Sequence, residues 1–172
     1  MSDMSSDRTG PGGGNGGPAG EQAQAPITVN AQYLKDLSFE NPNAPQSLVG
    51  QASAPAIEVG VNVGTRNLAP NVFEVTLALN GTAKRGDQTV FIAELSYAGV
   101  FTLQGIPEEH VRPVLLIECP RLLFPFARNI LAEATRDGGF PPLMLHPVDF
   151  VDLYRRQVEA AGETGTGSTA TA

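Results

Sequence analysis

The sequence has one cysteine, no tryptophan and fewer basic than acidic residues. A lone Cys119 cannot form a disulfide within the chain, which is typical of a protein from a reducing compartment. The chain carries 11 Lys and Arg against 18 Asp and Glu, for a net charge of -7. This shortage of cations argues against nucleic acid and anionic membranes as partners, because both are bound through Lys and Arg. A basic protein surface is the better match.

Long apolar runs are also missing. The most apolar run, Val114–Ile117, is far too short to span a bilayer. The N-terminus has no apolar stretch of the signal-peptide type. We therefore expect a soluble, cytoplasmic protein.

Both ends of the sequence are poor in apolar residues. Residues Gly10–Gly20 read GPGGGNGGPAG, and residues Gly162–Ala172 read GETGTGSTATA. Such segments have little surface to bury against the entropy cost of ordering. We predict a disordered Gly/Pro-rich extension over residues 1–26, one folded domain over residues 27–159, and a disordered tail over residues 160–172.

The folded region divides into strands followed by helices. Four stretches alternate apolar and polar residues, which is the pattern of strands with one face buried. In the first, Ile27, Val29, Tyr33, Leu37 and Phe39 share one face, with Leu34 as an exception; the others centre on Val59–Val63, Phe73–Leu79 and Phe91–Tyr97. Helical patterns then begin at Pro107, Leu122 and Pro147, and Pro113 and Pro120 predict breaks between the first two. The fold class predicted is α+β, a four-stranded antiparallel sheet with C-terminal helices packed on one face.

Signals for catalysis are weak. Gly12–Gly17 matches a dinucleotide-binding glycine pattern, but neither a strand nor a helix flanks it. Cys119, His110 and His146 have no zinc-ligand spacing and no flanking signature of a nucleophile pair. We therefore predict no enzyme activity, no cofactor and no metal site.

Two features lend themselves to binding. Asp36, Glu40, Ile92 and Glu94 fall on the polar face of their predicted strands, either as an ordinary solvated surface or as an acidic docking surface around an apolar residue. The loop Phe140–Leu145 reads FPPLML, and it either covers the core or lines an apolar groove.

Three segments carry a family resemblance. They read YLKDLSFENPNAP from Tyr33, CPRLLFPFAR from Cys119 and GGFPPLMLHPVDF from Gly138. Together they resemble the bacterial protein-export chaperone family SecB, over about Tyr33 to Tyr154. Some members end in a charged tail that makes a second contact with the export ATPase. The C-terminus is nearly uncharged in this sequence, so the resemblance does not imply that contact.

The resemblance implies a function and an assembly. SecB-like proteins are homotetramers, dimers of dimers, which hold unfolded precursor proteins without ATP and deliver them to the translocation ATPase SecA. The main alternative is a small apolar-ligand carrier without chaperone activity.

The resemblance also implies three sets of site residues. The SecA-docking positions fall on Asp36, Glu40, Ile92 and Glu94. The client groove falls on Val59, Val61, Phe140, Leu143, Leu145, Phe150 and Tyr154. The long helix would supply the oligomer interface through Leu123, Phe126, Ala127, Ile130 and Ala134.

Overall fold

The computed structural model describes residues 25–49 and 53–164, with side chains to residue 161. Four strands form one antiparallel sheet in the order β1-β4-β3-β2, where β1 is Ile27–Glu40, β2 is Ala56–Ala69, β3 is Val72–Arg85 and β4 is Gln88–Leu103. The predicted strand number and the α+β class are confirmed. Of the predicted extension and tail, residues 1–24 and 165–172 lie outside the described residues.

Tight turns join the last three strands. Asn71 adopts a φ of 59° between β2 and β3, and Gly86 a φ of 61° between β3 and β4. Asn and Gly tolerate this left-handed region better than other residues. The turns pair β2 with β3 and β3 with β4, so the alternating apolar residues of the three strands collect on one face of the sheet.

The helical half is more continuous than the sequence predicts. Helix α1, Glu108–Pro113, runs through a π-helical turn, Val114–Glu118, into α2, Cys119–Asp137. The expected breaks at Pro113 and Pro120 are therefore wrong. Proline has no backbone N–H to donate to the preceding turn. A π-helical turn shifts the hydrogen-bond pattern by one residue, so the helix continues without these bonds. Helix α3, Phe150–Thr164, follows a loop and continues past the domain boundary predicted at residue 159.

The core lies between the sheet and α2. Leu77, Leu95 and Phe101 from the sheet and Leu123 from α2 are almost fully buried there. A side chain at Gly99 would stand 2.9 Å from a methyl group of Leu123, so this glycine lets the helix approach β4 closely. We call the covered side the helix face of the sheet and the other side the open face.

Strand β1 contains two irregularities that change its parity. Register shifts occur between Val29 and Ala31 and between Leu34 and Asp36. As a result, Tyr33 pairs with Ala98 on the open face and Leu34 lies on the helix face. The prediction that Tyr33 shares a face with Ile27 is wrong, because each bulge inserts one residue and reverses the alternation. The second shift restores the predicted parity from Asp36 onwards.

Candidate functional site

The four predicted docking residues lie together on the open face. Asp36 pairs with Ser96, Glu40 with Ile92, and Ser38 with Glu94, so their side chains project from the same side of two adjacent strands. The three carboxylates are exposed and Ile92 is half-buried among them. We call these four residues the acidic patch.

A shallow depression adjoins the acidic patch. It has a volume of about 320 Å³ and lies between Asp36 and Glu94 on one side and Asn80 on the other. Gly60 and Ala78 keep its floor low, and the Asn80 side chain lies over Gly60, where a Cβ would meet its oxygen at 2.2 Å. The alternation of β3 places Asn80 on this face, but the sequence carries no signal that singles it out.

The far end of the open face holds a buried carboxylate. Glu74 is 4% exposed, and it accepts a hydrogen bond from the Tyr33 hydroxyl. Its oxygens lie 3.3 Å from Lys35 Nζ and 3.1 Å from Arg66 Nη2. The Tyr33 hydrogen bond first, and then the Lys35 and Arg66 charges, lower the pKa of Glu74 despite its burial. This cluster ties β1, β3 and β2 together, and it depends on the bulge that turns Tyr33 to this face.

The helix face carries an apolar groove where the loop after α2 runs beside β2. One cavity of about 350 Å³ is lined by Val59, Val61, Leu143 and Leu145. An adjoining cavity of about 500 Å³ is lined by Phe140 and Leu143 together with Ile57, Phe91 and three prolines. We call these two cavities the apolar groove. The loop borders open space instead of sealing the core, so five of the seven predicted groove residues come together here.

Thr135 holds the groove loop in place. Its buried hydroxyl donates to backbone oxygens of α2 at 2.9 and 3.1 Å, and it accepts a hydrogen bond from the Leu143 N–H at 2.8 Å. The loop is thereby anchored to the helix at Leu143, which lines both cavities. The sequence gives no sign of this role, because Thr135 follows the helical pattern of α2.

The other two predicted groove residues lie elsewhere. Phe150 is 1% exposed and packs edge-on against Phe124 with ring centroids 6.1 Å apart, so it supports the core and presents no surface to a ligand. Tyr154 lines a separate cavity of about 290 Å³ on α3 with Val151 and Val158. Both residues follow the groove loop closely in sequence, but helix α3 directs their side chains away from the groove.

The predicted interface stripe of α2 divides between two faces of the helix. Leu123 and Ala127 are fully buried against the subunit's own sheet. Phe126 is 52% exposed and stacks on Tyr97 at 6.3 Å, while Ile130 and Ala134 are half-buried. Leu123 and Ala127 therefore have no surface left for a contact with another chain, because both side chains belong to the core of this one.

Further apolar surface lies beside Phe126. Leu122 on α2 is 44% exposed, and Val29, Leu34 and Leu37 on the helix face of β1 are 39%, 46% and 40% exposed. Helix α2 covers β3 and β4 but leaves this edge strand open. We call these four residues and Phe126 the uncovered apolar surface.

The environment of Cys119 makes it a weak candidate for a nucleophile. Cys119 is buried, and desolvation, followed by the charge of Glu118, raises the pKa of its thiol to about 12. It therefore stays protonated at neutral pH and is a poor nucleophile. Within residues 25–49 and 53–161, no cluster of three or more His, Cys, Asp and Glu side chains is suited to a metal ion. No helix in these ranges is long and apolar enough to cross a membrane.

A family model and individual relatives both match this chain, and they agree on the family. Residues 20–161 match the family model described as preprotein translocase subunit SecB. The chain is 58% identical over 155 residues to a protein-export protein SecB of Rhodopseudomonas palustris strain HaA2, covering 90% of this chain and 98% of that protein. It is 59% identical over 151 residues to the protein of the same name from Rhodospirillum centenum, covering 86% and 90%.

The fold matches a solved structure as well. A SecB-like chaperone of Mycobacterium tuberculosis, solved in complex with a peptide from the HigA1 antitoxin, superposes with a TM-score of 0.59 at 15% identity. The match covers 71% of this chain and 90% of the other. Together with the near-full-length relatives, it leads to one conclusion: this chain belongs to the SecB family.

Proposed function

We propose that this protein is a protein-export chaperone, which holds unfolded precursor proteins without ATP and delivers them to the translocation ATPase SecA. The observation that carries the proposal is the division of one sheet between two kinds of surface. The apolar groove on the helix face suits an unfolded chain, and the acidic patch on the open face suits a folded, basic partner. Membership of the SecB family supports both parts.

The groove has the chemistry that a client requires. Its walls are aliphatic and aromatic, and Met144 at its mouth is 57% exposed. Among the described residues β2 is an edge strand, so one side of its backbone has no neighbouring strand there and can offer N–H and C=O groups beside the groove. An unfolded segment exposes apolar side chains and backbone amides together, and such a site binds both without reading sequence.

The acidic patch has the chemistry of a docking surface. Three exposed carboxylates surround the half-buried Ile92, an arrangement in which an apolar contact is flanked by charge. A basic surface on SecA would be steered towards it and oriented by it. Because the groove opens on the opposite side of the sheet, a client and the ATPase can be bound at the same time.

The proposed working form is a homotetramer in the cytoplasm. The uncovered apolar surface leaves five large apolar side chains between 39% and 52% exposed, and exposed apolar patches often mark interaction sites. A dimer of dimers buries such surface by repeating the same contact twice. It also places several grooves on one particle, so weak contacts along one client add up.

The proposed protein has no catalytic step and needs no cofactor. The buried, protonated Cys119 is a poor nucleophile, which agrees with this proposal.

The test is an aggregation assay without nucleotide. A chemically denatured precursor is diluted into buffer with increasing amounts of the protein, and light scattering is followed. The proposal expects suppression of aggregation near one tetramer per client. If scattering is unchanged and each subunit instead binds one small apolar dye or fatty acid, the protein is a ligand carrier and the proposal is wrong.

A further inference from the structure

A basic side chain borders the apolar groove where β3 ends. Arg85 is the last residue of β3, and it lines the larger cavity of the groove together with Phe91 and Phe140. Among the described residues that line the two cavities, none is an Asp or a Glu, and Arg85 is the only Lys or Arg. The groove therefore holds one permanent charge, a positive one, in a chain whose net charge is -7.

Strand alternation separates Arg85 from the cation beside it. The sequence reads Lys84-Arg85 at the end of β3, and alternation sends the two side chains to opposite faces of the sheet. Arg85 follows the buried Ala83 on the helix face, whereas Lys84 is exposed. Only one of the two adjacent charges therefore belongs to the groove.

The Arg85 side chain is half-buried and restrained, yet it has donors to spare. Its Nε donates a hydrogen bond to the Ser53 carbonyl oxygen at 2.9 Å, which restricts the orientation of the guanidinium. The four N–H groups on its two Nη atoms bind none of the described residues, and the exposed Asp87, two residues further on, forms no ion pair with it. Arg85 is thus oriented by one bond and free to bind a ligand with the others.

A client segment that fills this cavity displaces water from Arg85. An apolar client residue placed there would leave the guanidinium desolvated without a partner, which is costly. A carboxylate would replace the lost water with charge-assisted hydrogen bonds, and a guanidinium can bind both carboxylate oxygens at once. The rings of Phe91 and Phe140 lower the local dielectric constant, which strengthens such a pair.

We infer that Arg85 binds a carboxylate of the client, so that the groove selects apolar segments with an acidic group beside them. The carboxylate is either an Asp or Glu side chain or the C-terminus of the client chain. A client Lys or Arg at the same position would be repelled. This inference rests on the proposed function and specifies the chemistry of its substrate.

The experiment compares three ten-residue peptides with the same core of Leu, Val and Ser. The first has Asp at both ends, the second Asn at both ends, and both are acetylated and amidated; the third is the Asn peptide with a free C-terminal carboxylate. Isothermal titration calorimetry gives their affinities for the parent, for Arg85→Gln and for the control Lys84→Gln, which removes an equal charge from the exposed neighbour.

The parent and Lys84→Gln should bind at least one carboxylate peptide about tenfold more tightly than the neutral peptide, which is the scale of charge-assisted hydrogen bonds. Arg85→Gln should bind all three peptides equally, with the affinity of the parent for the neutral one. A gain for the Asp peptide identifies an acidic side chain as the ligand, and a gain for the free-acid peptide identifies the chain terminus.

Three results would overturn the inference and leave the proposed function intact. They are equal affinities of the parent for all three peptides, a gain that persists in Arg85→Gln, and an equal loss of affinity for all three peptides in Arg85→Gln. The last result would mean that Arg85 only holds Ser53 in place. If none of the three peptides binds the parent, the proposed function fails and the inference with it.

Discussion

The two faces of the sheet are built from alternate residues of the same strands, yet they present opposite chemistry. Around Glu94 the open face carries exposed carboxylates over small residues, whereas Leu95 and Ala93 beside it are buried under α2. Near β2, helix α2 no longer covers the helix face, and the apolar residues there line the groove. The alternation of side chains along each strand therefore separates a polar surface from an apolar one within a single sheet.

The sharpest way to break this comparison is to reverse charge on the open face alone. In Glu40→Lys and Glu94→Lys, we expect SecA affinity to fall by about 100-fold or more, because like charges would then meet across the contact. Titration of the ATPase against each variant measures this. Client holding should be unchanged, and thermal unfolding should shift by less than about 0.5 kcal/mol, since both residues are exposed. Loss of both activities together would show that these residues support the fold.

A substitution at Phe126 tests whether the uncovered apolar surface forms a contact between subunits of the proposed tetramer. Phe126→Asp should shift the assembly from about 72 kDa, four copies of the 18.0 kDa chain, to dimers or monomers. The introduced carboxylate would have to be desolvated in the interface, which costs several kcal/mol. Light scattering with size exclusion reports the mass, and Phe126→Leu serves as the control that keeps the apolar contact. A parent that is itself a stable monomer would contradict the prediction.

Variants of the apolar groove test the apolar side of this comparison. Phe140→Asp should weaken client holding by about tenfold, on the scale of burying one uncompensated polar group, while docking to SecA stays normal. Tyr154→Asp is the matched variant, because Tyr154 lies outside the groove. The aggregation assay with both variants decides: equal losses would place α3 within the client site, and no loss in either would remove Phe140 from it.

The smallest expected effect concerns Glu74, which links strands rather than binding a partner. Its lowered pKa means that its contribution to stability is present above its ordinary pKa of 4.5 and is lost as pH falls through the lower value of the folded state. Glu74→Gln should therefore destabilise the protein at pH 7, by on the order of 1 kcal/mol, and flatten the loss of stability below pH 4.5.

Tyr33→Phe separates the hydrogen bond from the charge in this cluster. The hydrogen bond to Glu74 raises the pKa of Tyr33 above its ordinary 10.0, so its contribution is present below pH 10 and is lost as pH rises through the folded-state value. The variant should lose this alkaline dependence and weaken the acidic one, because the Tyr33 hydrogen bond is the largest cause of the lowered pKa of Glu74; the acidic dependence that remains comes from the charges of Lys35 and Arg66. Urea unfolding at several pH values checks both variants; identical pH profiles of parent and Glu74→Gln would contradict the assignment.

Several features of the site were predictable from the residues. Alternation in β4 and the end of β1 was enough to place Asp36, Glu40, Ile92 and Glu94 on one face, and the structure brings them together. The excess of large apolar residues in the loop Phe140–Leu145 marked it as unusual. Whether that loop closes over the core or borders a groove was open, because periodicity describes one segment and says nothing about what lies opposite.

What the sequence determined by itself is local: the four strands, their turns, the amphipathic helices and the family. Tertiary structure alone decided which apolar residues are buried in the core: Leu123 and Phe150 are buried there, and Phe126 is exposed. It also decided the reversed parity of Tyr33 and the burial of Glu74. These depend on a bulge, on a helix crossing and on residues distant in sequence, and no pattern within a single segment records them, because burial is a property of two packed surfaces.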